Sequence, residues 1–237
     1  MRICVLILDK RSFVEAGVRI FIRMAEVWAR LGHQVTILSD SWPESGLREL
    51  PSNLIVRSTP GIFQIAHLPG GFAPGTIFYR TFHLLRTSYD MIYVALAFRP
   101  ANLLPLLAAR LFTKAVIIEE VWEWFGSGGV HSYRRGLLPR IIRLYDRVLD
   151  IPSKFLSHGL ILIASHLQRR YRFHKHTLIL HGAIERELVR PIVKTEARRR
   201  LGMDDDHMII GMFSLDSGDE ADNIPAFRAV GNLAKSE

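Results

Sequence analysis

The segment MRICVLILDKRSFVEAGVRIFIRMAEVWARLGHQVTILS, residues 1–39, decides the fold. It opens with a short apolar run, RICVLIL at 2–8, suited to a strand buried on both faces. From Val14 to Leu31 the period changes. Val18, Ile22, Ala25 and Ala29, with Phe21, Val27 and Trp28, recur at helical spacing, and Gly32 stops the helix. QVTILS at 34–39 is a second strand. A strand, helix and strand in this order predict a parallel pair joined by a right-handed crossover.

The same alternation continues outward. Further strands are predicted at 53–58, 91–96, 115–119, 160–164 and 177–181, with helices at 76–87, 101–112 and 165–173 and a basic helix within 134–154. Residues 60–75 hold too much Pro and Gly for a regular element and are predicted to be a loop. The pattern predicts an α/β chain, a doubly wound parallel sheet of Rossmann-like type over 1–186. Residues 187–237 read as a linker and the start of a second such domain. Its Ile209, Ile210, Met212 and Phe213 call for sheet partners, so the expectation is an incomplete second domain.

The formal net charge is +8 over 237 residues, and 49% of the residues are hydrophobic. That composition is globular, and no apolar run reaches the ~18 residues of a membrane-spanning helix. Cys4 is the single cysteine, mid-strand, and fits a buried apolar role in a reducing cytoplasm. The positive balance implies an anionic partner. Arg134, Arg135, Arg140, Arg143, Arg147, Lys154, Arg169, Arg170, Arg172 and Lys175 fall in one stretch, countered there by Asp146 and Asp150 and interleaved with leucine and isoleucine. One reading is a helix packed on the sheet with a solvated basic face. Another is a basic amphipathic helix resting on an anionic membrane surface, the inner face of the plasma membrane for a cytoplasmic protein. A nucleic-acid partner is not expected, because no RNP-like motif, zinc-finger spacing or helix-turn-helix signature is present.

Ligands of such sheets bind outside the carboxyl ends of the strands. Two loops there carry candidate residues. In the first, residues 9–17, the loop that includes Ala16 and Gly17 leads into a helix whose N-terminus carries a partial positive charge, and Lys10, Arg11 and Arg19 add cations suited to a phosphate or an anionic acceptor. One glycine does not make a GxGxxG cradle, so an ordinary βα turn remains the alternative, and an NAD-dependent oxidoreductase is disfavoured. The second, residues 119–129, holds the carboxylates Glu119, Glu120 and Glu123, which could accept hydrogen bonds, and the aromatic rings of Trp122 and Trp124, which could stack on a ligand or dip into lipid. The alternative is a pair of loop tryptophans packed under the basic helix, with the glutamates paired to nearby arginines. No histidine shows metal-ligand spacing, and no metal is expected.

Residues 15–38, EAGVRIFIRMAEVWARLGHQVTIL, closely resemble the opening of the GT-B glycosyltransferases of the large retaining group, glycosyltransferase family 4-like. Leu31-Gly32-His33-Gln34-Val35 is a compact form of that family's helix-ending phrase. Asp90-Met91-Ile92-Tyr93-Val94 looks like its Asp-led fourth strand, and Gly159 to Ser165 like its strand ending in serine. Leu178-Ile179-Leu180-His181-Gly182 is similar to the phrase that closes the first domain, and Arg200-Leu201-Gly202 to the entry into the second.

The resemblance implies transfer of a sugar from a nucleotide-sugar donor to a saccharide or lipid-linked acceptor, with retention at the anomeric carbon and no cofactor. It implies an acceptor-side first domain, an interdomain hinge at His181 and Gly182, and Glu120 or Glu119 at the catalytic position. Where the family shows Gly-Arg and then Lys-Gly in its second domain, this chain has Phe213-Ser214-Leu215-Asp216-Ser217-Gly218-Asp219-Glu220. With most of the donor domain absent, the resemblance implies a fragment inactive by itself. A non-catalytic module that binds a nucleotide or another anion is the alternative.

Overall fold

The computed structural model describes residues 1–8, 16–39, 50–59, 73–122, 137–181 and 192–203. The chain divides into two compact units, Met1–Ala183 and Ile184–Glu237.

In the first unit β1 (Arg2–Ile7), α1 (Ala16–Arg30), β2 (Gln34–Ser39) and β3 (Leu54–Ser58) are followed by α2 (Pro74–Arg86), β4 (Met91–Ala95) and α3 (Pro100–Phe112). β5 (Val116–Val121), α4 (Leu137–Lys154), β6 (Gly159–Leu162), α5 (Ser165–Arg170) and β7 (Thr177–Ile179) complete it. The seven strands form one sheet in the order β3-β2-β1-β4-β5-β6-β7, and every pairing is parallel. This is the α/β, doubly wound, Rossmann-like fold. The order reverses between β1 and β4, which makes that boundary the topological switch point.

Successive strand residues face opposite sides, and the core splits accordingly. Ile3, Val5 and Ile7 pack with Phe21, Ile22, Ala25 and Ala29 of α1. Cys4, Leu6, Ile92 and Ile117 pack on the other side with Leu84 of α2 and with Leu106 and Ala109 of α3. Glu119 shares the face of Ile117 and bonds to α4, and its register partner Leu160 packs with Leu167 of α5. So α2, α3, α4 and α5 cover one face of the sheet.

The phrase around Gly32 has a local cause. Gly32 takes φ +87°, its N–H donates to the Ala29 carbonyl at 2.9 Å, and the His33 N–H donates to the Trp28 carbonyl at 3.1 Å. This pair of bonds satisfies the last carbonyls of α1, and the left-handed residue between them is cheapest as glycine. Asp90 has an equally local role, since its Oδ2 accepts the Arg2 N–H at 2.7 Å beside the start of β1 and β4.

Four expectations are corrected. The fifth strand does not end at Glu119 but runs to Val121, so both glutamates lie within a strand. They are tolerated because Glu120 and Val121 still pair with Ile161 and Leu162, and each carboxylate finds a polar partner on its own face. Lys154 does not belong to the basic outer surface. It is 1% exposed, turned inward at the end of α4. The last helix and strand are also shorter than expected, with α5 stopping at Arg170 and β7 at Ile179.

The second unit contains the described helix α6 (Lys194–Leu201), which Gly202 closes at φ +65° with the Met203 N–H donating to the Arg198 carbonyl at 2.9 Å. Glu196 pairs with Arg199 and Arg200 one turn later. The apolar segment at 209–213 lies outside the described residues. No helix among the described residues is long and apolar enough to cross a membrane.

Candidate active site at the carboxyl edge of the sheet

The carboxyl ends of β4 and β5, beside the switch point, bring Glu119, Glu120 and Trp122 together. Ala95 ends β4 opposite Glu120 of β5. After Ala95 the chain turns through Leu96 at φ +56°, a left-handed conformation that costs a residue with a side chain about 1–2 kcal/mol. Three contacts hold that turn. The Asn102 side-chain amide donates to the Ala95 carbonyl at 2.9 Å, the Arg99 N–H donates to the Leu96 carbonyl at 3.1 Å, and the Ala97 N–H donates to Glu119 Oε1 at 3.3 Å. Strain held in place by its surroundings is a feature that clusters at functional sites.

Glu119 and Glu120 sit side by side in sequence but on opposite faces. Glu119 is buried and accepts from Lys154 Nζ at 2.6 Å and from Ser157 Oγ at 3.2 Å. Lys154 also reaches Asp150 Oδ1 at 3.2 Å, and the Tyr171 hydroxyl donates to Asp150 at 3.0 Å. One helix turn earlier, Asp146 pairs with Arg99 at 2.9 Å. Its carboxyl is pushed up to about 6 by burial, against the pull of Arg99 and with a smaller push from Asp150. This network fixes α4 and the turn after β4, so Glu119 acts as a positioning group.

Glu120 faces the α1 side. The Tyr93 hydroxyl donates to Glu120 Oε2 at 2.5 Å, and Tyr93 in turn lies edge-on to Phe21 and Trp28 of α1. Burial pushes the Glu120 carboxyl up, opposed by hydrogen bonds from Tyr93 and Trp122. A carboxyl raised above its ordinary value at a strand end is the type of group that can hold or move a proton. Trp122 stacks on Phe21 of α1 with ring centroids 5.4 Å apart and packs against the core on the face opposite α4, so it does not lie under the basic helix.

The other candidates are spread more widely. Ala16 and Gly17 open α1, so that helix N-terminus lies at the carboxyl end of the sheet next to the switch point. Arg19 is on α1, but its side chain, like Lys10, Glu123, Trp124 and Gly182, lies outside the described residues. His181 is exposed, and its Nδ1 lies 3.0 Å from the Ile163 carbonyl oxygen, linking the ends of β6 and β7. Among the described residues no three His, Cys, Asp or Glu side chains gather as a metal site.

Several residues of this edge gave no sequence signal. Arg80 of α2 is fully buried, and its guanidinium donates to the Ile7 carbonyl at 2.5 Å, to the Leu38 carbonyl at 3.4 Å and to Asn102 Oδ1 at 2.5 Å. It ties the ends of β1 and β2 to α3. A lone arginine in an amphipathic helix looks like a surface residue, and Leu96 carries no glycine or asparagine to mark its left-handed turn.

No protein family and no curated protein sequence matches the chain. Solved structures do match. The sucrose-phosphate synthase of Thermosynechococcus elongatus aligns with a TM-score of 0.58 at 16% identity, over 86% of this chain and 53% of that one. A glycosyltransferase from Rickettsia africae aligns with a TM-score of 0.49 at 10% identity, over 86% of this chain and 50% of that one. The chain therefore spans about half the length of each. At such identity the likeness is one of fold.

Proposed function

We propose that the chain forms the acceptor side of a GT-B glycosyltransferase of the retaining kind, which moves a sugar from a nucleotide-sugar donor to a saccharide or lipid-linked acceptor without a cofactor, on the cytoplasmic side of the cell. The observation that carries this reading is Glu120. It is a buried carboxyl, its pKa raised by desolvation, at the end of β5, beside a strained turn at the switch point where such sheets bind ligands. The fold likeness to a sucrose-phosphate synthase supports it. In this reading Glu120 hydrogen-bonds the acceptor hydroxyl or the reacting sugar and handles its proton. Glu119, Lys154 and Asp150 hold the β4–α3 turn in place. The N-terminus of α1, at Ala16 and Gly17, faces the anionic end of the donor or acceptor, where helix-end N–H groups favour phosphate. His181 and Gly182 serve as the hinge toward the unit that takes the nucleotide.

A second reading, a module that binds a nucleotide or other anion without chemistry, draws on Glu119. That carboxylate is taken up by Lys154 and Ser157 rather than presented to a substrate.

The test is release of nucleoside diphosphate from a panel of nucleotide sugars, using the protein as the cell makes it, with wild type compared with Glu120→Gln. The reading expects Glu120→Gln to lower turnover about 10²- to 10⁴-fold while donor binding persists. Donor binding with no turnover by the wild type favours the second reading. Equal turnover by both proteins removes Glu120 from the reaction.

A further inference from the structure

The outward side of α4 is apolar. Leu137, Ile141, Leu144, Val148, Ile151 and Phe155 recur at alternating steps of four and three residues, a spacing that lays one straight stripe along a helix, and all six are exposed. A surface helix ordinarily buries that stripe. Among the described residues, the buried side instead carries Asp146, Asp150, Ser153 and Lys154, bonded among themselves and to Arg99, Glu119 and Tyr171.

The neighbouring helices on the same face repeat the pattern. On α2, Phe78 and Phe82 are exposed one turn apart, and on α3, Leu104, Leu107 and Leu111 are exposed. At the end of α4, Phe155 stacks on Phe173 at 5.2 Å, which joins the stripe to the segment after α5.

The charge on this face is one-sided. α2, α3 and α5 contain no Asp or Glu, and the two carboxylates of α4 are both buried. Arg86, Arg110, Arg140, Arg147 and Arg169 are exposed on the same four helices. Among the described residues, this helix layer shows water apolar side chains and cations, and no carboxylate.

We propose that this helix layer, centred on the α4 stripe, docks onto the surface of an anionic lipid bilayer, with the apolar stripe at the acyl boundary and the arginines at the headgroups. An in-plane amphipathic helix needs an apolar face and flanking cations, and both are present. A second copy of the chain fits less well, because a symmetric contact would set the arginines beside the stripe against their own counterparts. The proposal requires no sugar donor, so it stands or falls separately from the transfer reaction.

The test is co-sedimentation of the full chain with vesicles of equal parts phosphatidylglycerol and phosphatidylcholine, and with vesicles of phosphatidylcholine alone. Binding is expected to the first and not to the second, weakening as salt shortens the screening length. Arg140→Gln with Arg147→Gln is expected to lower the partition constant on the order of 25-fold, and Ile141→Ser, Leu144→Ser and Val148→Ser together to abolish binding. These positions are exposed, so the unfolding midpoint should stay near wild type. A separate variant, Leu144→Trp, keeps the stripe apolar and should show a blue-shifted emission on the anionic vesicles. Lack of binding at low salt, wild-type binding by the serine variant, or an unshifted tryptophan would each overturn the proposal. So would a lipid-free dimer that the serine changes dissolve, which would make the stripe a contact between copies.

Discussion

Lys154 Nζ lies 2.6 Å from Glu119 Oε1 and 3.2 Å from Asp150 Oδ1, so one buried cation holds a carboxylate of the sheet and one of its own helix. Among the described residues, α4 is fastened to the sheet by this buried charge.

Removing that cation should be costly. Lys154→Met leaves two buried carboxylates without it, and breaking a buried pair from one side costs about 3–5 kcal/mol. Urea denaturation should show a loss of that size. Adding Glu119→Gln to Lys154→Met should restore part of it, because one of the uncompensated charges is then gone.

Glu120 sets a pH dependence of definite sign. Its carboxyl is raised in the folded state above the ordinary 4.5. Folding therefore favours the protonated form, and this contribution is complete below about pH 4.5 and is lost as pH rises through the higher folded value. Glu120→Gln keeps a polar partner for the Tyr93 hydroxyl and cannot ionise. Denaturation midpoints measured from pH 4 to 8 should decline less with rising pH for Glu120→Gln than for wild type.

The turn at Leu96 should respond to side-chain shape. Leu96→Gly removes the steric cost of φ +56°, and the gain is offset by the greater chain entropy of glycine, so stability should stay within about 1 kcal/mol of wild type. Leu96→Val places a β-branched residue there and should lower stability by more than about 1 kcal/mol. Equal midpoints for the two variants would argue against a strained turn.

Arg80 is expected to tolerate no replacement. Lysine cannot reproduce the fork that reaches both the Ile7 carbonyl and Asn102 Oδ1, so Arg80→Lys should lose at least one charge-assisted hydrogen bond, about 1.5–3 kcal/mol. Thermal unfolding measures this. A midpoint equal to wild type would mean that the staple contributes little.

The sequence by itself determined the architecture. Apolar runs such as Ile3 to Ile7, and the helical period from Phe21 to Ala29, depend on neighbours along the chain, and so does the glycine stop at Gly32. Such local rules can be read without knowing what lies across the sheet. They also marked the carboxyl end of β5 as the place to look, through Glu119, Glu120 and Trp122. Tertiary structure alone decided what those residues do. Whether adjacent glutamates meet Lys154 or Tyr93 depends on which face each takes and on residues 35 and 27 positions away in the chain. The same holds for Arg80, whose partners lie 73 and 22 positions away. It holds most of all for α4. Its amphipathic pattern was plain in the sequence, but a helical period does not say which side turns inward. Here buried ion pairs from Glu119 of the sheet and Arg99 of the turn before α3 drew Lys154 and Asp146 in, leaving the apolar stripe facing out.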